Sequence, residues 1–197
     1  EKAGKVIPFS QYNSSDPEAL WTYLDDYESQ IQGEVLAIPH NGNLSNGVMF
    51  ALENVKGKPL SADYAKTRSR WEPLFEATQI KGDSEAHPDL SPDDEFADYE
   101  TASLGGVHSD WSEEVKKEFK LTDYDSWVRK KIQRGDKSWN YLYGYARPAL
   151  KFGLQQQAKL GINPFKFGMI GSTDSHTSLA TADEDNFWGK LTWLEPY

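Results

Sequence analysis

Phe165-Lys166-Phe167-Gly168-Met169-Ile170-Gly171-Ser172-Thr173-Asp174-Ser175-His176 is the stretch on which the reading of the fold turns. Phe165 to Ile170 reads as a strand that runs into small and polar residues. Working backwards, Leu150, Leu154 and Ala158 form a helical stripe closed by Gly161 and Pro164. Pro148 fits the first turn of that helix, because proline further inside is costly. Leu74 to Ile80 reads as a second strand. The helix before it is capped by Ser61, carries Tyr64, Arg68 and Trp71, and ends at Pro73. Glu34 to Ile38 reads as a short buried strand stopped by Pro39. Asp16-Pro17 caps and opens a first helix, whose face is Leu20, Leu24, Tyr27 and Ile31, and Gly33 ends it. Residues 1–15 read as an extended lead-in. Ser112 and Thr122 open two short polar helical patterns, the second ending at Gly135. Helices alternating with strands predict an α/β fold with parallel strands.

Composition narrows the function classes. The chain has 197 residues, enough for one domain by the usual length of about 150 residues. Counted with glycine and without tyrosine, its apolar content is roughly 41%, below the about 45–50% of soluble domains. Seven Trp, ten Tyr and nine Phe argue against disorder. The longest stretch without Asp, Glu, Lys or Arg, Val35 to Leu52, holds Pro39 and His40 and is no apolar span. No charged-then-apolar signal region opens the chain, which begins at Glu1. A net charge of −10 opposes nonspecific binding to nucleic acid or to an anionic membrane. With zero Cys there is no disulfide, thiolate metal site or cysteine nucleophile.

The chemistry-bearing residues sit where strands end. Parallel α/β folds place their sites at the carboxyl ends of strands. His40 follows the first predicted strand and Asp174-x-His176 the last. An Asp and a His two apart in extended backbone point to one side, where a carboxylate oxygen and an imidazole nitrogen can approach a divalent metal. Nitrogen and oxygen ligands without sulfur suit Zn, Mn or Fe. Taken alone, such a pair is more often a turn cap beside a surface or core histidine, and a lone His40 is more often structural. Residues 83–100 carry eight Asp or Glu and no Lys or Arg, and read as a loop. As a bare charge run this is a solvated face. Its sharper meaning rests on Gly82-Asp83-Ser84-Glu85-Ala86-His87-Pro88, where one His and two acids follow a strand. His108 receives no role. No G-x-S-x-G elbow, P-loop or dinucleotide fingerprint is present.

Four segments carry a resemblance. They are Leu36-Ala37-Ile38-Pro39-His40-Asn41-Gly42-Asn43-Leu44-Ser45-Asn46-Gly47; Thr78-Gln79-Ile80-Lys81-Gly82-Asp83-Ser84-Glu85-Ala86-His87-Pro88; Leu90-Ser91-Pro92-Asp93-Asp94-Glu95-Phe96-Ala97-Asp98; and Gly168-Met169-Ile170-Gly171-Ser172-Thr173-Asp174-Ser175-His176-Thr177. Together they resemble the bacterial "domain of unknown function 3604" family, related to the PHP (polymerase and histidinol phosphatase) metal-dependent phosphoesterases. The likeness runs from Val6 to Lys190 and is weakest from Leu104 to Asn140, which reads as a helical insertion.

The resemblance implies a distorted (β/α) barrel of the PHP type, with parallel strands, flanking helices and a polynuclear His/Asp/Glu site. It assigns His40, His87, Asp174 and His176 as metal ligands. Glu76, Glu85, Asn41 and Asn43 become further ligands or supports for them, and Arg147 a weaker contact to a phosphate. Zn, Mn or Fe would be the metals, about two or three in the full-length protein. The H-x-H pair that opens PHP proteins is absent. Residues 1–197 are therefore expected to be the C-terminal portion of a single PHP-like metallohydrolase domain, partnered by a missing N-terminal segment of the same protein. The expected function is a metal-dependent hydrolase, a phosphoesterase acting on a small phosphorylated substrate. The relatives suggest a periplasmic or secreted bacterial protein rather than a cytoplasmic one. The competing expectation is a non-catalytic module that binds a sugar or other small molecule on a barrel remnant.

Overall fold

The computed structural model describes residues 3–45, 47–79, 81–98, 141–176 and 185. The expected helices from Ser112 and Thr122, and the 104–140 insertion, lie outside the described residues.

Helix α1, Pro17–Ile31, starts where Asp16 caps it: the Asp16 carboxylate accepts the Glu18 N–H at 3.0 Å. It ends at Ile31, two residues before Gly33, because Gln32 itself takes the left-handed conformation (φ 55°). Helix α2, Ala62–Trp71, is capped by Ser61 Oγ, which accepts the Tyr64 N–H at 3.1 Å. Pro73 has no N–H to continue it. Strand β1, Leu74–Gln79, follows, and a tight turn leads to the two-residue strand β2, Gly82–Asp83. Helix α3, Ala146–Leu160, ends at Gly161, whose φ of 78° suits glycine. Strand β3, Gly168–Gly171, is the last element among the described residues.

Among the described residues the result is a mixed α/β architecture with a three-stranded open sheet in the order β2-β1-β3. β1 and β3 are parallel, as the alternation of elements predicts, and β2 returns antiparallel. The expected strand at Glu34–Ile38 is not part of the ladder. It is extended chain with Leu36 and Ile38 exposed, tied by Ala37 N–H to Trp71 O (2.8 Å) and by Glu76 N–H to Pro39 O (3.0 Å). Pro39 and Pro73 each lack the amide hydrogen that a regular pairing there needs.

The core lies between α1, α2, α3 and β1, with Trp21, Phe50, Trp71, Phe75 and Phe165 among its buried members. Phe50 meets Phe75 edge-on at 4.9 Å and Phe165 at 5.4 Å between ring centroids. Phe165 therefore plugs the core, and the third strand begins after it rather than at it. On α3 the buried face is Ala146, Ala149, Gly153 and Gln156. The expected stripe is rotated outward, and Leu154 is 66% exposed. Small residues win this face because the backbone passes close to its neighbour: a Cβ on Gly153 would stand 2.3 Å from Asn163 Oδ1. Among the described residues no helix is long and apolar enough to cross a membrane.

Candidate functional site

The carboxyl ends of β1 and β3 are joined by polar side chains. In a regular strand, Glu76 and Gln79 would face opposite sides. The β1–β3 register shifts between Glu76 and Thr78, which inserts Ala77 as an extra residue and turns the two toward each other. Gln79 Nε2 donates to Glu76 Oε2 at 2.9 Å and to Asn41 Oδ1 at 2.9 Å. Ser172 Oγ, just past β3, donates to Glu76 Oε1. The buried Glu76 carboxylate thus has a hydrogen-bond donor on each oxygen.

Asn41 is aimed by its own backbone, which is left-handed (φ 57°), and by the 3₁₀ turn Gly42–Leu44 behind it. Asn43, 2% exposed, works from the inside of that turn. Its N–H donates to Ser84 Oγ (3.0 Å), its Oδ1 accepts the Ser84 hydroxyl (3.0 Å), and its Nδ2 donates to Lys81 O (3.1 Å). Asn43 is therefore a clamp between the His40 loop and the β1–β2 turn.

Beyond Gln79, Lys81 Nζ stands 2.7 Å from Asp174 Oδ2. Asp174 is left-handed (φ 52°). His176 Nδ1 donates to the Asp174 carbonyl at 2.7 Å and lies 3.9 Å from Asp174 Oδ1. That bond places the ring proton on Nδ1 and leaves Nε2 as the nitrogen with a lone pair.

The remaining residues expected at the site divide between two other places. His40 is exposed and lines a cleft of about 580 Å³ with Ile38, Met49, Arg68 and Glu72. His87 is 4% exposed. Its Nδ1 accepts the Asp89 N–H at 3.1 Å, and its ring meets the Tyr145 ring at 6.0 Å. The Nδ1 lone pair is thus taken by a backbone N–H rather than offered to a metal in this arrangement. Burial, reinforced by Asp83 and Asp89, holds the neighbouring Tyr145 hydroxyl protonated far above its ordinary range. Arg147 donates to Glu85 Oε1 at 2.7 Å and to Asp94 Oδ2. The same two carboxylates keep its charge in place, and its hydrogen bond lowers the Asp94 carboxyl below the ordinary Asp value. This guanidinium is already answered by two anions, so it offers little to a phosphate.

Among the described residues, no three His, Asp or Glu side chains gather closely enough to hold a metal ion. Asp174 and His176 do adjoin, and their donor types suit Zn, Mn or Fe. They fit a partial ligand set. Gln79, Lys81 and Ser172 are the site residues that sequence reasoning passed over. Their signal was available: Gln79 is polar inside a predicted strand, and Ser172 and Lys81 stand directly past strand ends.

Fold and site together define an α/β domain with a polar centre at the carboxyl ends of its parallel strands. The chain belongs to the family described as "Protein of unknown function (DUF3604)", whose model matches residues 1–197. No curated protein matches the chain. No solved structure matches it either.

Proposed function

We propose that this chain supplies part of the active centre of a metal-dependent hydrolase, a phosphoesterase on a PHP-type barrel completed by chain outside these residues. The observation that carries this reading is the adjoining Asp174 and His176 just past a strand parallel to β1, two residues beyond the Ser172 that hydrogen-bonds the buried Glu76. His176 Nε2 and an Asp174 oxygen are the ligands this segment offers, and Glu76 is a fixed carboxylate that can accept a proton from water or steady a cation. A bound divalent ion would lower the pKa of its water to about 7 and polarise a phosphoryl oxygen. Asn41 and Gln79 hold Glu76 in place.

The test is metal analysis of the full-length protein and an assay against a panel of phosphoesters with added Mn or Zn. Stoichiometric metal and turnover are expected, both lost in Asp174→Asn and His176→Ala. A protein that takes up no metal, or turnover that survives both substitutions and a chelator, overturns the reading. A second reading, a small-molecule binding module, draws on the cleft beside His40, whose walls include Leu20, Ile38, Val48 and Met49. It requires ligand binding without turnover.

A further inference from the structure

Lys81 is fixed at its main chain and committed at its side chain. Its carbonyl accepts Asn43 Nδ2 at 3.1 Å, and its N–H reaches Gln79 Oε1 at 3.4 Å. Its ammonium meets Asp174 Oδ2 at 2.7 Å, with the two side chains only 18% and 16% exposed. This pair joins the end of β1 to the end of β3. Asp174 holds a left-handed backbone, uncommon away from glycine, within the same constellation.

Asp174 is also the carboxylate that the proposed function gives to a metal. A ligand oxygen approaches Zn at about 2.0–2.2 Å. A divalent ion on this carboxylate would therefore sit within a few ångströms of the ammonium, and partial burial weakens the screening between them. Two cations crowded on one carboxylate repel. His176 imposes no such conflict, since its Nδ1 is spent on a backbone carbonyl and its Nε2 is the ligating atom.

We propose that Lys81 is the built-in counter-ion of Asp174, and that a divalent ion gains this carboxylate by displacing the Lys81 ammonium. The inference rests on the metal-site reading above and adds to it a competitor carried by the chain itself. In the metal-free protein, Lys81 neutralises Asp174 and keeps the ends of β1 and β3 together. Metal loading is then an exchange of one cation for another. Lys81 sets the metal affinity below what the ligands alone would give.

The experiment is calorimetric titration of the full-length protein with Mn²⁺ or Zn²⁺ alone, comparing wild type, Lys81→Met and Lys81→Arg. Lys81→Met is expected to bind the ion about tenfold more tightly, within the usual range for one coupled pair of sites. Lys81→Arg keeps the charge and is expected to bind no more tightly than wild type. Circular dichroism of each variant guards against a collapsed Met variant. Equal or weaker metal affinity in a folded Lys81→Met, with wild type binding metal, overturns the inference and leaves the metal-site reading standing. No metal binding by any of the three overturns both.

Discussion

Gly42 and Gly144 meet backbone to backbone. A Cβ on Gly42 would stand 2.3 Å from the Gly144 carbonyl oxygen and 2.7 Å from Phe75 Cζ, and one on Gly144 would stand 2.6 Å from the Gly42 carbonyl. This contact seats the 3₁₀ turn Gly42–Leu44 against the turn Tyr141–Gly144, and so places Asn41 and Asn43 at the end of β1. Gly42→Ala has carbonyl backbone on one side and a core ring on the other, with no flexible side chain to give way. It should cost about 1–3 kcal/mol, the range for overpacking. Urea denaturation measures the loss, and a variant as stable as wild type would show that the two turns are not packed this way.

The Arg68–Glu72 pair should behave as a buried unit. Arg68 Nε meets Glu72 at 2.8 Å, Arg68 Nη2 donates to Met49 O at 2.7 Å, and Trp21 Nε1 donates to Glu72 Oε1 at 2.9 Å. The guanidinium also lies over the Phe165 ring at 4.9 Å. Glu72→Leu alone strands a charge and an indole N–H, for an expected loss of about 3–5 kcal/mol. Arg68→Met with Glu72→Leu should be less destabilised than the two single losses added together, because neither charge is then left unpaired. Denaturation of all four proteins in a double-mutant cycle reads the coupling, and strict additivity would refute it.

Much of this framework is legible in the sequence, and the reasons differ by element. The starts of α1 and α2 are local events, a side-chain oxygen turned onto a nearby N–H, so Asp16 and Ser61 reveal them. Gly161 reveals the end of α3 because its left-handed backbone is a one-residue property. The face of α3 is less legible. Periodicity counts leucines, whereas Ala149 and Gly153 are buried because another segment comes close. The polar centre depends on more distant facts still. Glu76 meets Ser172 across 96 positions, and Gln79 faces Glu76 through a register shift that the amino acids Ala77 and Thr78 do not announce. The Asp174-x-His176 spacing is readable, but the cation on Asp174 is not, because Lys81 arrives from the end of a different strand.

The Arg147–Asp94 contact makes an acid-side contribution to stability. The Arg147 hydrogen bond, helped by the Phe96 N–H, lowers the Asp94 carboxyl below its ordinary value of 3.8. A lowered native pKa means that the unfolded state binds the proton first as pH falls. The contribution is therefore complete above the ordinary Asp value and is lost as pH drops through the lower native one. Stability measured from pH 6 down to pH 2 should show wild type and Asp94→Asn converging below about pH 4. The carboxylate is partly exposed and solvent screens the pair, so the gap should be small. A constant gap across that range would mean that ionisation of Asp94 does not contribute.

His87 and His176 should separate stability from ligand chemistry. His87 is buried, accepts the Asp89 N–H and packs on Tyr145, so His87→Ala opens a cavity and leaves that N–H without its acceptor. A loss of about 2–3 kcal/mol is expected, as for other substitutions that combine a cavity with a broken buried hydrogen bond. The His176 side chain is 54% exposed, and among the described residues its ring bonds locally to Asp174. His176→Ala should therefore fall within about 0.5 kcal/mol of wild type. If Asp174 and His176 form part of a metal centre, His176→Ala should lose bound metal at unchanged stability, while a folded fraction of His87→Ala keeps it. Thermal denaturation and metal content measured on the same samples decide it. The reverse pattern, with His87→Ala stable but metal-free, would move the centre to the acidic loop.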